Sequence, residues 1–290
     1  MTTTVAGTDT KRATLEWAGA MALSGTIGVA VVESGAAAPA VAFARCLVGG
    51  LLLALWCAWK GWFRLSARDL RLAALGGVLL VANWVLLFAS YSHSSVSVAT
   101  VVYHTQPFLL LALAGVVLGE RIRGRDLGHG AIAFAGVVLI SLGGQGMDGQ
   151  PVDLVGIALA LGAAALYAGA SLVAKQLSHV KPHLVAAVQC AVGTLVLAPA
   201  LLITPLPPVG SGWLWLLVLG AVHTALMYVL MYSSIGVLPT ATVALLSFLY
   251  PAVALIVDVA VYGHHVSLLE SLGILAIVAG ALAHKLPTRP

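Results

Sequence analysis

Charged side chains are scarce in this sequence, since Asp, Glu, Lys and Arg make up 8% of its 290 residues against 61% hydrophobic residues. A soluble domain carries roughly 25% charged residues, because its surface faces water. A chain with so few charges must turn most of its outer surface toward lipid. Inside lipid every backbone N–H and C=O needs an internal partner, which leaves helices or a closed β-barrel. The apolar stretches, of about 17 to 24 residues, lack strict alternation and therefore predict helices.

Cysteines and catalytic motifs are also few. The three cysteines, Cys46, Cys57 and Cys190, stand apart in apolar stretches without CxxC spacing. This pattern favours buried thiols over disulfides or metal ligands. The absence of GxxxxGK[ST] argues against ATP-driven transport by this chain. The motifs HExxH and GxSxG are also absent, so neither signature of a hydrolase is present. The net charge of +4 is too small to indicate nucleic acid as a partner. The sequence therefore predicts no metal, no cofactor and no enzymatic activity.

Hydropathy predicts an all-α integral membrane protein with ten transmembrane helices and short connections. The predicted spans are 15–32, 39–59, 70–90, 96–118, 127–142, 154–174, 183–203, 212–233, 239–262 and 267–284. The first span also resembles a cleavable signal peptide, because Lys11 and Arg12 precede it and small residues follow it. Its length is sufficient to cross a bilayer, which favours a membrane span.

The basic residues test this topology. If the N-terminus is cytoplasmic, all but one of the 14 Lys and Arg residues fall on the cytoplasmic side, as the positive-inside rule requires. These residues are Lys11, Arg12, Lys60, Arg64, Arg68, Arg71, Arg121, Arg123, Arg125, Lys175, Lys181, Lys285 and Arg289. The exception is Arg45, within the second span. The opposite loops contain Glu33, Asp148 and Asp153 but no Lys or Arg. The distribution predicts a multi-pass cell-membrane protein with cytoplasmic N- and C-termini.

The second half of the chain repeats the first at an offset of 144 residues. The aligned pairs include Pro107 with Pro251, Gly119 with Gly263, and Gly136 with Gly280. A five-span unit that is repeated once must emerge upside down, because five crossings end on the opposite side. Such inverted repeats are typical of transporters that alternate between inward and outward openings.

The predicted organisation follows from this repeat. It consists of a cytoplasmic N-terminal tail at 1–14, a first five-helix repeat at 15–143, a second inverted five-helix repeat at 153–284, and a cytoplasmic C-terminal tail at 285–290.

Three stretches resemble a known family. Pro39–Arg45 resembles the arginine-bearing second helix of the EamA branch of the drug/metabolite transporter superfamily. The stretch from Gln106-Pro107 to Gly119-Glu120-Arg121 is similar to that family's fourth helix, and Tyr250–Gly263 to its ninth. The chain departs from the pattern at His264, where members often carry glutamate. The resemblance covers nearly the whole chain, and it implies ten helices, cytoplasmic termini and export of small metabolites such as amino acids or amines.

Aromatic residues in the third and eighth spans are candidate substrate contacts. Trp84 aligns with Tyr228 across the repeat, and Phe88 aligns with Tyr232. Aromatic side chains near the bilayer midplane are suited to wall a cavity and to contact a flat or cationic substrate. Ordinary helix packing or lipid contact is the alternative. Two neighbours are further candidates, namely Asn83 beside Trp84 and His223 in the middle of the eighth span, although either could serve only in packing.

The fourth and ninth spans contain a second set of candidates around their prolines. Tyr103, His104 and Gln106 precede Pro107, and Ser247 and Tyr250 precede Pro251. A proline removes a backbone donor and frees a carbonyl one turn earlier, so polar residues also gather there for structural reasons. Three polar residues within four positions exceed that need. We therefore predict that Tyr103, His104, Ser247 and Tyr250 meet substrate.

Asp258 is the only carboxylate well inside a predicted span, where an ionised group is costly unless it is paired or faces water. Arg45 is its candidate partner, and Glu33 competes for Arg45. Such a pair could fix helices or serve in coupling, with Asp258 or a histidine as the group that exchanges protons.

The favoured interpretation is a secondary transporter that exports a small polar or amphipathic molecule by alternating access, with protons as a candidate coupling ion. The two halves would enclose a shared cavity lined by spans one, three, four, six, eight and nine. An integral membrane enzyme acting on a lipid-linked substrate is one alternative, but the acidic residues are scattered rather than clustered. A non-transporting receptor or assembly subunit is another. Gly115 and Gly119 form a GxxxG motif that could join helices within the chain or in a homodimer.

Overall fold

The computed structural model describes residues 3–94, 96–143, 153–263 and 265–283. The predictions that concern Asp148, His264 and the C-terminal tail 285–290 lie outside these residues.

The regular elements of the described residues are helices. They are α1 (Thr3–Ser34), α2 (Ala38–Lys60), α3 (Ala67–Ser90), α4 (Val96–Tyr103), α5 (Gln106–Leu118), α6 (Gly124–Gly143), α7 (Leu154–Gln176), α8 (Pro182–Leu197), α9 (Gly212–Gly220), α10 (Met227–Ile235), α11 (Thr240–Ser247), α12 (Leu249–Tyr262) and α13 (Leu268–Ala283). A 3₁₀ turn at Ala198–Leu202 extends α8, and a π-helical segment at Ala221–Leu226 joins α9 to α10.

These helices form ten apolar segments. Within the described ranges, nine segments are long and apolar enough to cross a bilayer, and Leu268–Ala283 is a shorter apolar helix. Three of the long segments combine consecutive helices, namely α4 with α5, α9 with α10, and α11 with α12. The predicted all-helical membrane fold with ten helices is therefore confirmed.

The end of α2 has the side chains of a membrane–water interface. The Lys60 ammonium lies 3.9 Å from the ring centroid of Trp59 and 5.5 Å from that of Trp56. Trp59 is 71% exposed. Tryptophan and lysine are enriched where a helix leaves the hydrocarbon, because each combines an apolar body with a polar tip.

Glycine ends the corresponding helices of the two repeats. Gly119 follows α5 and Gly263 follows α12, each with φ of 67° in the left-handed region. A residue without Cβ adopts this conformation at no steric cost, which explains why both repeats have glycine there. Gly119 of the GxxxG motif is thus a helix cap, and a role for the motif in a homodimer stays a prediction. A Cβ on Gly115 would lie 3.0 Å from the Ile122 side chain.

By its internal contacts the chain divides into two compact units, each of which draws on both sequence halves. The first unit comprises Met1–Val85 and Gly169–Leu238, and the second comprises Leu86–Ala168 and Pro239–Pro290. In the first unit α2 packs against α8, and α1 packs against α9 and α10. In the second unit α6 packs against α13, and α5 packs against α11.

Within the first unit, α2 and α8 cross at residues that are equivalent in the repeat. The side chains of Cys46 and Cys190, which are 144 residues apart, lie close together at this crossing. A Cβ on Gly193 would lie 2.5 Å from Cys46 Sγ, and a Cβ on Gly50 would lie 3.0 Å from Cys190 Cβ. All three cysteines are buried and free, as the sequence pattern predicts.

Within the second unit, α6 and α13 make a reciprocal crossing. A Cβ on Gly136 would lie 2.5 Å from the Gly273 carbonyl oxygen, and a Cβ on Gly280 would lie 2.7 Å from the His129 carbonyl oxygen. The offset of 144 residues converts one contact into the other. The earlier residue of α6, His129, faces the later residue of α13, Gly280, and Gly136 faces Gly273. These equivalent helices therefore run antiparallel. Antiparallel equivalent helices are what an inverted repeat requires.

Replacing Gly136 with alanine should therefore destabilise the protein. The added methyl group would meet backbone atoms of Gly273 and Ile277, which can only yield if the helices move apart. We expect a loss of about 1–3 kcal/mol, typical of overpacking. The matched control is Gly128→Ala on the same helix, where a Cβ meets nothing within 4 Å and improved helix propensity adds up to about 1 kcal/mol. Thermal unfolding in detergent micelles compares the two variants, and equal midpoints would contradict this close helix contact.

Candidate functional site

Prolines break the fourth and ninth spans at equivalent positions. Pro107 follows the gap between α4 and α5, and Pro251 lies in the first turn of α12, just after the gap from α11. Neither proline has an N–H to donate to the carbonyl four residues earlier, which belongs to Tyr103 in one span and Ser247 in the other. Broken helices are common where membrane transporters bind their substrates, because the interrupted turn exposes polar groups at mid-membrane depth.

In the second unit, four rings gather beside the break in the fourth span. His104 and Tyr250 stack, with centroids 4.9 Å apart and planes 24° from parallel. Tyr103 lies edge-on to His104 at 6.2 Å and also lies 6.2 Å from Tyr167. We call Tyr103, His104, Tyr167 and Tyr250 the tyrosine–histidine cluster. The structure thus brings three of the predicted site residues together and adds Tyr167 of α7.

His104 carries an unused hydrogen-bonding atom in this cluster. Its Nδ1 lies 2.6 Å from the Thr100 carbonyl oxygen. Because a carbonyl only accepts, Nδ1 carries the proton, and Nε2 of the neutral ring is left as an acceptor. The residue is 3% exposed, and among the described residues Nε2 has no hydrogen-bond partner. A buried acceptor without a partner costs free energy, so its place in the structure needs an explanation.

Gln106 provides a complementary group two residues further on. Its side chain is buried, and within the described part of the chain its Nε2 amide nitrogen likewise lacks a partner. The turn between α4 and α5 therefore contains one buried acceptor and one buried donor, both unsatisfied. A small molecule with its own donor and acceptor could satisfy both groups, which a purely apolar ligand could not.

Ser247 and Asp258, two further predicted residues, also lie in the second unit. The Ser247 hydroxyl donates to the Val243 carbonyl at 2.8 Å, a bond that a helical serine makes to its own helix. Asp258 is half-buried on α12. Their roles in substrate contact and coupling stay predictions.

In the first unit, Arg45 is the centre of a buried polar network. Its Nε donates to Thr224 Oγ1 at 3.2 Å, and its Nη2 donates to the His223 carbonyl at 3.0 Å. The guanidinium carbon lies 5.2 Å from the centroid of the Trp84 ring, within the range of a cation–π interaction. Arg45 thereby ties α2 to α3 and to the π-helical segment. Because Asp258 belongs to the second unit, its pairing with Arg45 stays a prediction. Glu33, the other predicted partner of Arg45, is exposed at the end of α1.

The π-helical segment orients the groups that Arg45 contacts. The Thr224 hydroxyl donates to the Leu219 carbonyl, five residues back, at 2.9 Å. The Thr26 hydroxyl donates its one proton to the Leu23 carbonyl. It must therefore accept from the His223 Nε2–H, which lies 2.8 Å away. His223 is therefore a bridge between α1 and the π-helical segment. Widened turns of this kind occur frequently at functional sites.

The remaining candidates of the first unit lie nearby along α3 and α10. The Tyr228 and Tyr232 rings are 5.5 Å apart and both are buried. The Tyr232 hydroxyl donates to Gln189 Oε1 on α8. Asn83 is fully buried beside Trp84, which is half-buried.

Gln189 and Tyr167 were not predicted from the sequence. Gln189 follows Arg45 by 144 residues, so the repeat that matched the aromatic pairs could have identified it. Tyr167 aligns with Leu23 and shows no symmetry signal, although a tyrosine in the middle of a span is itself unusual. In the described residues, no three His, Cys, Asp or Glu side chains come together as metal ligands.

Comparison with known proteins gives a consistent result. The model of the EamA-like transporter family matches residues 17–142 and again 154–283. The uncharacterized transporter YxxF of Bacillus subtilis is 31% identical over 90% of this chain and 85% of its own length. The uncharacterized transporter YwfM of the same organism is 27% identical over 89% of this chain and 88% of its own. A solved crystal structure with 21% identity has the same fold, with a TM-score of 0.83 over 94% of this chain and 96% of that one.

Ten apolar helices, a repeated half and two proline-broken spans define a multi-pass membrane transporter. The chain belongs to the EamA-like transporter family, with one family domain in each half. This membership confirms the resemblance seen in the sequence. The protein is thus a transporter and not an enzyme, and its substrate is a small molecule.

Proposed function

We propose that this protein exports a small amine, amino acid or related polar compound by alternating access. The observation that carries the proposal is the unpartnered Nε2 of His104, whose ring contacts Tyr103 and Tyr250, with Tyr167 next to Tyr103. An N–H group of the substrate would satisfy that acceptor, and the tyrosine faces would attract the positive charge of an ammonium group. Export and cytoplasmic termini rest on the family resemblance and on the distribution of Lys and Arg.

The second unit supplies the main contacts in this proposal. Tyr103, His104 and Tyr250 would hold the amine end, while the Gln106 amide would donate to a carboxylate or hydroxyl of the substrate. We include Ser247 as a substrate contact because it lies at the equivalent helix break in the ninth span.

For the first unit we assign substrate contact to Trp84, Tyr228, Asn83 and His223. Trp84 offers the ring face that is turned away from Arg45, and His223 already makes a polar contact with α1. Arg45 holds this group in place.

Proton coupling completes the proposal. Asp258 or a histidine would bind a proton on one side of the membrane and release it on the other. A homodimer is compatible with this mechanism, since each chain contains both repeats.

The experiment is uptake by the purified protein in liposomes, tested with a panel of amino acids, amines and dyes. We expect one or more amines or amino acids to enter faster than into protein-free liposomes, and faster still under an imposed pH gradient. Uptake confined to neutral apolar dyes would contradict the assigned substrate class. Flux that ignores the pH gradient would contradict the coupling and leave facilitated transport standing.

A further inference from the structure

A basic pocket lies in the second unit, away from the tyrosine–histidine cluster. It has a volume of about 250 Å³ and is formed where α5 ends, α6 begins and α11 begins. Arg121, Arg123 and Arg125 line it together with Glu120 and Asp126. The apolar residues Leu111, Ala114 and Ile122 are also among the lining residues.

The two acids of this arginine pocket are already engaged by the protein. Glu120 Oε2 accepts from the Thr240 N–H at 3.3 Å and so caps the start of α11. The buried Asp126 carboxylate lies 4.0 Å from Arg125 Nε. Both acids thus make contacts inside the second unit, and three arginines against two carboxylates leave the pocket with a net charge of +1.

Two of the arginines have no such engagement. Among the residues that the structure describes, neither the Arg121 side chain nor the Arg123 side chain takes part in a hydrogen bond or ion pair. Both side chains are exposed and both line the pocket. A guanidinium presents several donors in a planar fork that matches the oxygen atoms of a phosphate or carboxylate. Two free forks over one cavity therefore favour an anion with several oxygen atoms.

The surroundings of the pocket indicate which source of phosphate fits. Val116 and Val117, in the last turn of α5, are 86% and 51% exposed, and Leu127 at the start of α6 is also exposed. Apolar side chains at the end of a membrane span face acyl chains, and a soluble phosphate compound would gain nothing from them. A phospholipid would place its phosphate at the arginines and its chains along these residues. Basic pockets between membrane helices recognise anionic headgroups in this way.

We propose that the arginine pocket is a binding site for the headgroup phosphate of an anionic phospholipid, held by Arg121 and Arg123. The bound headgroup would join the α5–α6 connection to the start of α11, which Glu120 already links. This assignment is independent of the transported substrate, because none of these residues is among the candidate substrate contacts of either unit.

The test is lipid binding to the purified full-length protein, measured by native mass spectrometry and by thermal unfolding. Phosphatidylglycerol and phosphatidylcholine are compared as probes, since both carry a phosphate but only the first has net negative charge. We expect phosphatidylglycerol to bind and to raise the unfolding temperature, with little effect of phosphatidylcholine. In the R121Q/R123Q variant its affinity should fall at least about tenfold, as expected for lost charge-assisted hydrogen bonds.

The matched control is R64Q/R68Q, which removes two exposed arginines, Arg64 between α2 and α3 and Arg68 in the first turn of α3. General attraction of a basic surface to anionic lipid would weaken equally in both variants, and that result would overturn the proposal. R121K/R123K, which keeps the charges, guards against misfolding and should retain part of the affinity. Equal binding of both lipids would also overturn the proposal. So would stabilisation by inorganic phosphate that phosphatidylglycerol cannot displace, because the site would then take a soluble anion.

Discussion

Replacing His104 with asparagine is expected to lower substrate flux at least about tenfold while leaving the fold intact. The asparagine amide nitrogen superposes on Nδ1 and keeps the donation to the Thr100 carbonyl, but no atom remains at the position of Nε2. A hydrogen bond that involves a charged partner is worth about 1.5–3 kcal/mol, which corresponds to roughly ten- to hundredfold in affinity. Initial rates of uptake into proteoliposomes, at matched protein content, measure the loss.

His104→Gln is the informative companion, because the glutamine amide reaches the position of Nε2 and can accept there. It should retain more flux than the asparagine variant. His183→Asn is the outside control, since His183 stacks on Trp56 in the first unit at 5.9 Å and is not a candidate substrate contact. If His104→Asn transports as fast as the unaltered protein, the Nε2 atom has no part in substrate binding. If glutamine and asparagine are equally impaired, a packing role for the ring is indicated instead.

Replacing Arg45 with alanine should destabilise the protein by about 1–3 kcal/mol. The change removes both donations, to Thr224 Oγ1 and to the His223 carbonyl, together with the cation–π contact with Trp84. Hydrogen bonds between membrane helices average about 0.6 kcal/mol and reach about 2, so two bonds and one ring contact give this range. The midpoint of thermal unfolding in micelles is the measurement.

Arg45→Lys keeps the charge but replaces the planar fork with a single ammonium group, so it should recover only part of the stability. Arg64→Ala is the matched control, because its exposed side chain takes part in no hydrogen bond among the described residues. An Arg45→Ala protein as stable as this control would show that the network contributes nothing to folding. Full recovery with lysine would show that charge alone matters and that the geometry does not.

Most of the fold was predictable because its determinants are local. Each membrane helix is a continuous apolar stretch, and the number of crossings follows from where Lys and Arg fall. Residues that the repeat offset relates also lie at helix crossings in the structure, as Cys46 and Cys190 do, and Gly136 and Gly280. The breaks beside Pro107 and Pro251 were implied by the missing proline N–H.

What escaped prediction depends on contacts between distant residues. The π-helical segment at Ala221–Leu226 contains no proline and no glycine, so no residue in it signals the change in helix type. The partners of Arg45 are a hydroxyl, a carbonyl and a ring, which hydropathy cannot distinguish from the many other such groups in the chain. Tyr167 joins the tyrosine–histidine cluster only because α7 folds back beside α4.

Counterflow in proteoliposomes tests the transport mechanism most directly. Vesicles that contain the purified protein are loaded with an excess of a transported amine or amino acid and diluted into a trace of the same compound, radiolabelled, with no ion gradient. A carrier with alternating access exchanges internal for external molecules, so the label should rise transiently above its equilibrium level and then decline. Entry of label that only approaches equilibrium, with no overshoot, would contradict alternating access by this protein.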